Sequence, residues 1–231
     1  MIKDKFKVLL TGASGFLGCQ VLAAMKKRNW SVIPLVDKPS DIDNEIIIDF
    51  NLLDTEISLS TFEPCDAIVH LAAVIDFSDN AKEEYFFSTS IYATTLLANL
   101  AKKWSAHLVF TSTISIFDSL EYITLNTPIV PNSYYAKIKL LGEQIIQSVG
   151  CDYTILRCGG IYGLTSAKHL FINKIIFDAL RDNIVPTING AIDSKRNYIY
   201  VKDAANAIIQ TLENRIFGLH LLAGKEALSI K

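Results

Sequence analysis

The 231 residues, 50% hydrophobic and 20% charged, are enough to bury a full core in one large domain or in a domain with a small annex. With 22 basic residues against 24 acidic ones and a net charge of −2, the chain has no basic excess to attract nucleic acid and no polybasic tract for an anionic membrane. The first residues carry no signal-like apolar core, and no apolar run approaches the ~20 residues that span a bilayer, so a cytoplasmic location and no membrane partner are expected.

The first apolar run, residues 6–11, reads as a strand. It leads into Thr11-Gly-Ala-Ser-Gly-Phe-Leu-Gly18 and then into a helical pattern over 15–28. Glycines at 12, 15 and 18 on a strand-to-helix junction predict a phosphate-binding turn. Glycine permits the sharp turn and the close approach of a pyrophosphate to the free N–H groups of the helix. A second strand, 31–36, ends at Asp37, 19 positions after Gly18. A carboxylate at about that offset accepts bonds from the adenosine ribose and repels a 2′-phosphate, which favours NAD. Lys38 follows at once, so NADP stays the alternative.

The third strand, 45–49, closes on Asp49-Phe50, an acid and a ring suited to bracketing adenine; the other reading is a turn aspartate with Phe50 in the core. The fourth, 66–71, runs into His70-Leu-Ala-Ala73, whose small residues leave room for a ribose or phosphate. His70 itself reads as a packed, hydrogen-bonded histidine. A helix over 80–103 precedes a fifth strand, 106–111, which opens on Thr111-Ser-Thr113.

A further helix, 133–149, carries Tyr135 and Lys139, four apart and on one face. A lysine ammonium beneath a phenol lowers its pKa, so that the tyrosine exchanges a proton with a carbinol or carbonyl while hydride moves to or from nicotinamide. Tyr134 is excluded as the partner because Ile138 stands four residues on. A hydroxyl from Thr113 or Ser112 is the expected donor to the substrate oxygen; the plainer reading has these hydroxyls capping the following loop.

The sixth strand, 152–157, is followed by a helix near 167–182, a turn-rich stretch 183–197, a short strand 197–200, a helix 202–213 and a last strand 218–222. Alternating strands and helices predict an α/β fold with a doubly wound parallel sheet, Rossmann-like, with a small C-terminal substrate-binding region. The expected division is a dinucleotide-binding domain over 1–160 and a lid region over 161–231, interleaved with it. Cys19, Cys65, Cys151 and Cys158 are scattered and read as buried free thiols; neither they nor the four histidines have ligand spacing, so no metal is expected.

Together these motifs resemble the short-chain dehydrogenase/reductase superfamily, and more closely its extended branch, the NAD-dependent epimerase/dehydratase family. The resemblance implies cofactor contacts from Gly12, Ser14, Gly15, Phe16, Leu17 and Gly18, and from Leu71, Ala72 and Ala73. It implies catalytic roles for Thr113, with Ser112 as the runner-up and substrate neighbour, and for Tyr135 and Lys139, the lysine also touching the nicotinamide ribose. Leu156-Arg-Cys-Gly-Gly-Ile-Tyr-Gly163 is similar to the family's Arg-x-x-Asn-Val-Tyr-Gly. Lys195-Arg-Asn-Tyr-Ile-Tyr-Val-Lys-Asp203 is similar to its Arg-Asp-Phe-x-Tyr-Val-x-Asp, which implies a substrate diphosphate at Arg196.

The departures are specific. Gly160 replaces an asparagine that helps hold nucleotide-sugars, and Ser90 replaces a structural asparagine. Ile114-Ser115 stand where the dehydratases carry Asp-Glu, which disfavours dehydration. Extended members continue well beyond the strand 218–222, so a compact or truncated member is expected. Three activities fit: an epimerase on a nucleotide-sugar, a ketone or alcohol oxidoreductase with the same Thr113, Tyr135 and Lys139, or a dinucleotide-binding sensor without turnover. Apolar surplus on the two long helices (Phe86, Phe87, Ile91, Leu96, Leu97, Leu100, Ile138, Leu141, Ile145) predicts a homodimer.

Overall fold

The computed structural model describes residues 5–50, 62–73, 83–117, 122–163, 172–173, 178 and 195–229. Of the expected helix near 167–182 only residues 172–173 and 178, all helical, are described, and most of the stretch 183–197 falls outside these residues. The main sheet is built from β1 (Lys7–Thr11), β2 (Ser31–Val36), β3 (Ile46–Ile47), β4 (Ala67–His70), β5 (His107–Thr113), β6 (Tyr153–Cys158) and β9 (Gly218–Leu222). Their order is β3-β2-β1-β4-β5-β6-β9, and every neighbouring pair is parallel. The chain therefore leaves β1 in one direction and returns through β4 in the other, opening a crevice at the carboxyl ends of β1 and β4. This is the Rossmann-like α/β architecture expected.

The inner strands send alternate residues to two separate cores. Val8, Leu10, Val69, Val109 and Leu156 meet helices α1 (Phe16–Lys27) and α4 (Val201–Glu213) through Val21, Leu22, Met25, Ala205, Ile208 and Ile209. Leu9, Ile68, Leu108, Phe110 and Ile155 meet α2 (Glu83–Trp104) and α3 (Tyr134–Val149) through Leu96, Leu97, Leu100 and Ile146. Two covered faces explain why the strands read as nearly unbroken apolar runs. They also correct part of the dimer argument, because Leu96, Leu97 and Leu100 are buried in the chain's own core.

β3 pairs only with Leu35 and Val36. Pro34, one residue earlier in β2, has no N–H to give to a ladder there. β5 runs two residues past its expected end, because Ser112 and Thr113 continue the ladder opposite Arg157 and Cys158. Two short strands were not expected: β7 (Gly160–Tyr162) and β10 (Ala227–Ser229), which flank β8 (Lys195–Tyr200) in a separate three-stranded sheet. No described helix is long and apolar enough to cross a membrane.

Candidate active site

The glycine turn is built by contacts that exclude side chains. Gly12 has a φ of +69°, and a Cβ there would come within 2.8 Å of the Ala72 nitrogen. A Cβ on Gly18 would lie 1.9 Å from the Gly12 carbonyl oxygen, so the first turn of α1 folds directly back onto the turn. The Gly15 N–H donates to that same oxygen at 3.0 Å. Gly15 is the N-cap of α1 and supplies no side-chain cap, and the first turn holds no acidic residue. Nothing in the helix's own sequence neutralises the positive end of its dipole, which suits a bound diphosphate. Ser14 is exposed at the tip, and Phe16 and Leu17 are half-buried. These features fit the pyrophosphate of a dinucleotide.

Asp37 and Lys38 are both exposed at the end of β2. Asp49 is exposed at the end of the third strand, whereas Phe50 packs against the second core, in keeping with its alternative reading. Leu71 packs on the first core, and Ala73 is exposed.

His70 joins the two sides of the crevice. Its Nδ1 is 2.8 Å from Thr11 Oγ1, its Nε2 is 3.1 Å from Thr94 Oγ1, and the Ala72 N–H donates to Thr11 Oγ1 at 3.2 Å. Burial, helped by the Lys139 charge, pushes the imidazole down to about 3. His107, bonded to Thr154 Oγ1 at 2.6 Å, is pushed down to about 4, again mainly by burial. Both rings stay neutral in the fold at pH values where the unfolded chain binds protons. Their contribution is therefore intact above about pH 6.5 and is lost as the pH falls from there toward 4 and 3. Chemical denaturation between neutral pH and pH ~4 is expected to show stability falling by up to about 1.4 kcal/mol per pH unit for each withheld proton. A His70→Asn variant is expected to have a shallower slope.

At the same carboxyl edge, Thr113 ends β5. Its Oγ1 accepts from the Ser115 N–H and donates to Ser115 Oγ, each at 3.1 Å, capping the single 3-10 turn Ile114–Ile116. Ser112 points elsewhere: its hydroxyl donates to Glu143 Oε1 inside the core. The substrate contact expected of Ser112 gives way to this buried bond. α3 begins at Ser133, whose Oγ accepts from the Ala136 N–H at 3.1 Å, so Tyr135 sits in its first turn. Lys139, one turn on, is buried; its Nζ donates to the Thr111 carbonyl at 2.9 Å and lies 4.7 Å from the Phe110 ring centre.

The electrostatics correct the expected phenol. Burial pushes Tyr135 up to about 12, and the nearby Cys158 thiol adds to the rise. Burial pushes Lys139 down to about 8, against the opposing pull of Cys158 and Glu143. Desolvation outweighs the attraction that the four-residue spacing suggested. Cys158 is itself pushed up to about 12 by burial. Its place at the end of β6, acting on both Tyr135 and Lys139, was not anticipated. Of the other cysteines, Cys65 is buried and Cys151 half-buried, while Cys19 is exposed and donates to the Ser14 carbonyl, contrary to the expectation of burial.

On the small sheet, Arg196 is exposed on β8. Tyr198 stands opposite Gly160, and Tyr162 opposite Tyr200, with 5.6 Å between those two ring centres. A Cβ on Gly160 would come 2.7 Å from Tyr198 Cδ1, so the tyrosine ring takes the space a larger residue would need.

Residues 8–220 match the NAD dependent epimerase/dehydratase family. The chain belongs to this family. NAD is thus the cofactor of the class to which this fold and turn belong. Among curated relatives, the "Uncharacterized UDP-glucose epimerase YtcB" of Bacillus subtilis is 28% identical over 89% of this chain and 72% of its own length. The UDP-N-acetylglucosamine 4-epimerase of Bacillus cereus superimposes with a TM-score of 0.82 at 26% identity, covering 97% of this chain and 80% of that one. MoeE5, solved with UDP-glucose and NAD, gives a TM-score of 0.85 at 23% identity over 97% and 78% of the two chains, a likeness of fold.

Proposed function

We propose that this epimerase/dehydratase-family chain acts on a hydroxyl or keto carbon of a nucleotide-sugar, with epimerisation as its first reading. The observation that carries it is the helix face of half-buried Tyr135 and buried Lys139 beside the end of β5, on the same sheet edge as the glycine turn. Gly12 to Gly18 would hold the pyrophosphate, Asp37 the adenosine ribose, and Leu71 to Ala73 the space beside it. When bound there, NAD supplies a reversible hydride acceptor. Tyr135 moves the proton at its phenolic oxygen, Thr113 orients the reacting oxygen, and Lys139 provides the cation that offsets developing phenolate charge. Arg196 would contact a diphosphate, and residues 161–231 would form the substrate side.

One observation favours the second reading, an oxidoreductase on a non-nucleotide alcohol or ketone. Gly160 offers no amide, and Tyr198 fills the space where one would stand. Incubation with UDP-glucose and with UDP-N-acetylglucosamine separates the readings. Interconversion of epimers with no net nicotinamide absorbance is expected. A stoichiometric absorbance change with a simple alcohol, and none with either sugar, would replace the first reading by the second. Mass spectrometry of co-purified small molecules decides NAD against NADP. A homodimer through α2 and α3 belongs to the same proposal, since Ile91, Ile138, Leu141 and Ile145 stay only partly buried. Sedimentation as a single 25.6 kDa chain would reject it.

A further inference from the structure

The polar chemistry beside Lys139 extends past what proton transfer requires. Glu143 lies one turn after Lys139 on the same buried face of α3. Besides the bond from Ser112, its carboxylate is held by Arg157 from β6. Arg157 Nε donates at 3.1 Å and 3.2 Å to the two carboxylate oxygens, and Nη2 donates to Oε2 at 2.7 Å. The Arg157 guanidinium lies 5.2 Å from the Phe117 ring centre. A buried ion pair adds little net stability over well-packed apolar residues of the same size, so its position calls for another account.

That position is at the end of β5. Successive β5 residues meet successive turns of α3: the Thr111 carbonyl takes the Lys139 ammonium, and the Ser112 hydroxyl binds Glu143. The close approach has little slack, because a Cβ on Gly142 would come 3.1 Å from Phe110 Cζ. We propose that Glu143 is a positioning residue: clamped by Arg157 and Ser112, it fixes the rotation and depth of α3 on β5 and so holds the Lys139 ammonium on the Thr111 carbonyl. This rests on the role given to Lys139 above.

Two groups act on Lys139, Glu143 on its own helix and Cys158 on β6; the Lys139 charge in turn acts on His70 of β4, and Arg157 of β6 is bound to Glu143. Without the carboxylate, Arg157 loses its buried ion-pair partner and Lys139 loses the pull that Glu143 exerts on its proton. Lys139 should then lose its proton more readily and leave its place on the carbonyl.

The test needs no substrate. Protein labelled with 13C and 15N in lysine alone is titrated by NMR from about pH 6 to about pH 11, with Lys139 assigned from a Lys139→Met variant. The wild-type midpoint is expected near 8. Glu143→Gln is expected to lower it by about half a unit or more, and Glu143→Asp to restore part of the difference. Should Glu143→Gln fail to fold, the paired Glu143→Met/Arg157→Met variant and Ser112→Ala take its place, the first keeping volume and the second removing one hydroxyl. A shifted Lys139 resonance and midpoint in these folded variants supports the proposal. Wild-type shift and midpoint in both overturn it, and if the paired variant also unfolds, Ser112→Ala alone decides. Inactivity of the wild type on every nucleotide-sugar would reject the proposed substrate and leave this result standing.

Discussion

Tyr135→Phe is expected to reduce kcat on the order of a hundred- to ten-thousand-fold, with NADH binding within about twofold of wild type. The change removes one oxygen from a half-buried ring in the first turn of α3, so little packing is lost. What disappears is the group proposed to exchange a proton with the substrate oxygen. Because burial holds the phenol at about 12, the wild-type side chain is a proton donor across the neutral range, and any deprotonation must be driven by a neighbouring cation. In the proposed mechanism Lys139 is that cation, and burial pushes its own pKa down to about 8. Wild-type activity is therefore expected to fall as the pH rises through about 8, and Lys139→Met to remove that limb. Fluorescence titration with NADH beside steady-state kinetics separates binding from turnover. A Tyr135→Phe enzyme with wild-type kcat would end the catalytic reading and leave a binding protein.

Gly18→Ala is expected to abolish measurable NADH binding. The added Cβ would sit 1.9 Å from the Gly12 oxygen, far inside contact, and that atom is backbone. Either the turn opens or α1 retreats, and each removes the surface that would receive a diphosphate. Overpacking of this kind destabilises by about 1–3 kcal/mol, which for a chain this size lowers Tm by roughly 2–12 °C. Gly15→Ala is the internal comparison: its Cβ would lie 3.1 Å from the same oxygen, so a smaller loss is expected. Wild-type NADH affinity in Gly18→Ala would show that residues 12–18 are not the dinucleotide site.

Much of the fold was legible before the structure because its signals are local. Nearly unbroken apolar runs along β1, β4, β5 and β6 marked strands, and glycine at 12, 15 and 18 marked a turn that only a missing Cβ allows. The failures have a common origin. Ser112 and Thr113 look like loop residues, yet they extend β5 because Arg157 and Cys158 offer partners from β6. β7 and β10, three residues each, exist only through pairing with β8 and carry no periodicity of their own. Leu96, Leu97 and Leu100 read as surplus because the pattern does not say how much core a second sheet face consumes. Glu143 could have been found from its spacing, since it stands four residues after Lys139 on the Tyr135 face.

Short apolar runs, period-3.6 patterns, the glycine spacing and the Tyr135–Lys139 interval lie among near neighbours, so the chain's order of residues alone settled the α/β class, the turn and the candidate face. Protonation and orientation were decided elsewhere. Ser112 meets Glu143 across 31 positions and Arg157 meets it across 14, while the phenol and ammonium shift in opposite directions because distant strands shut out water around them. Desolvation and ion pairing depend on everything that surrounds a group, and that enclosure comes into being only when remote segments pack.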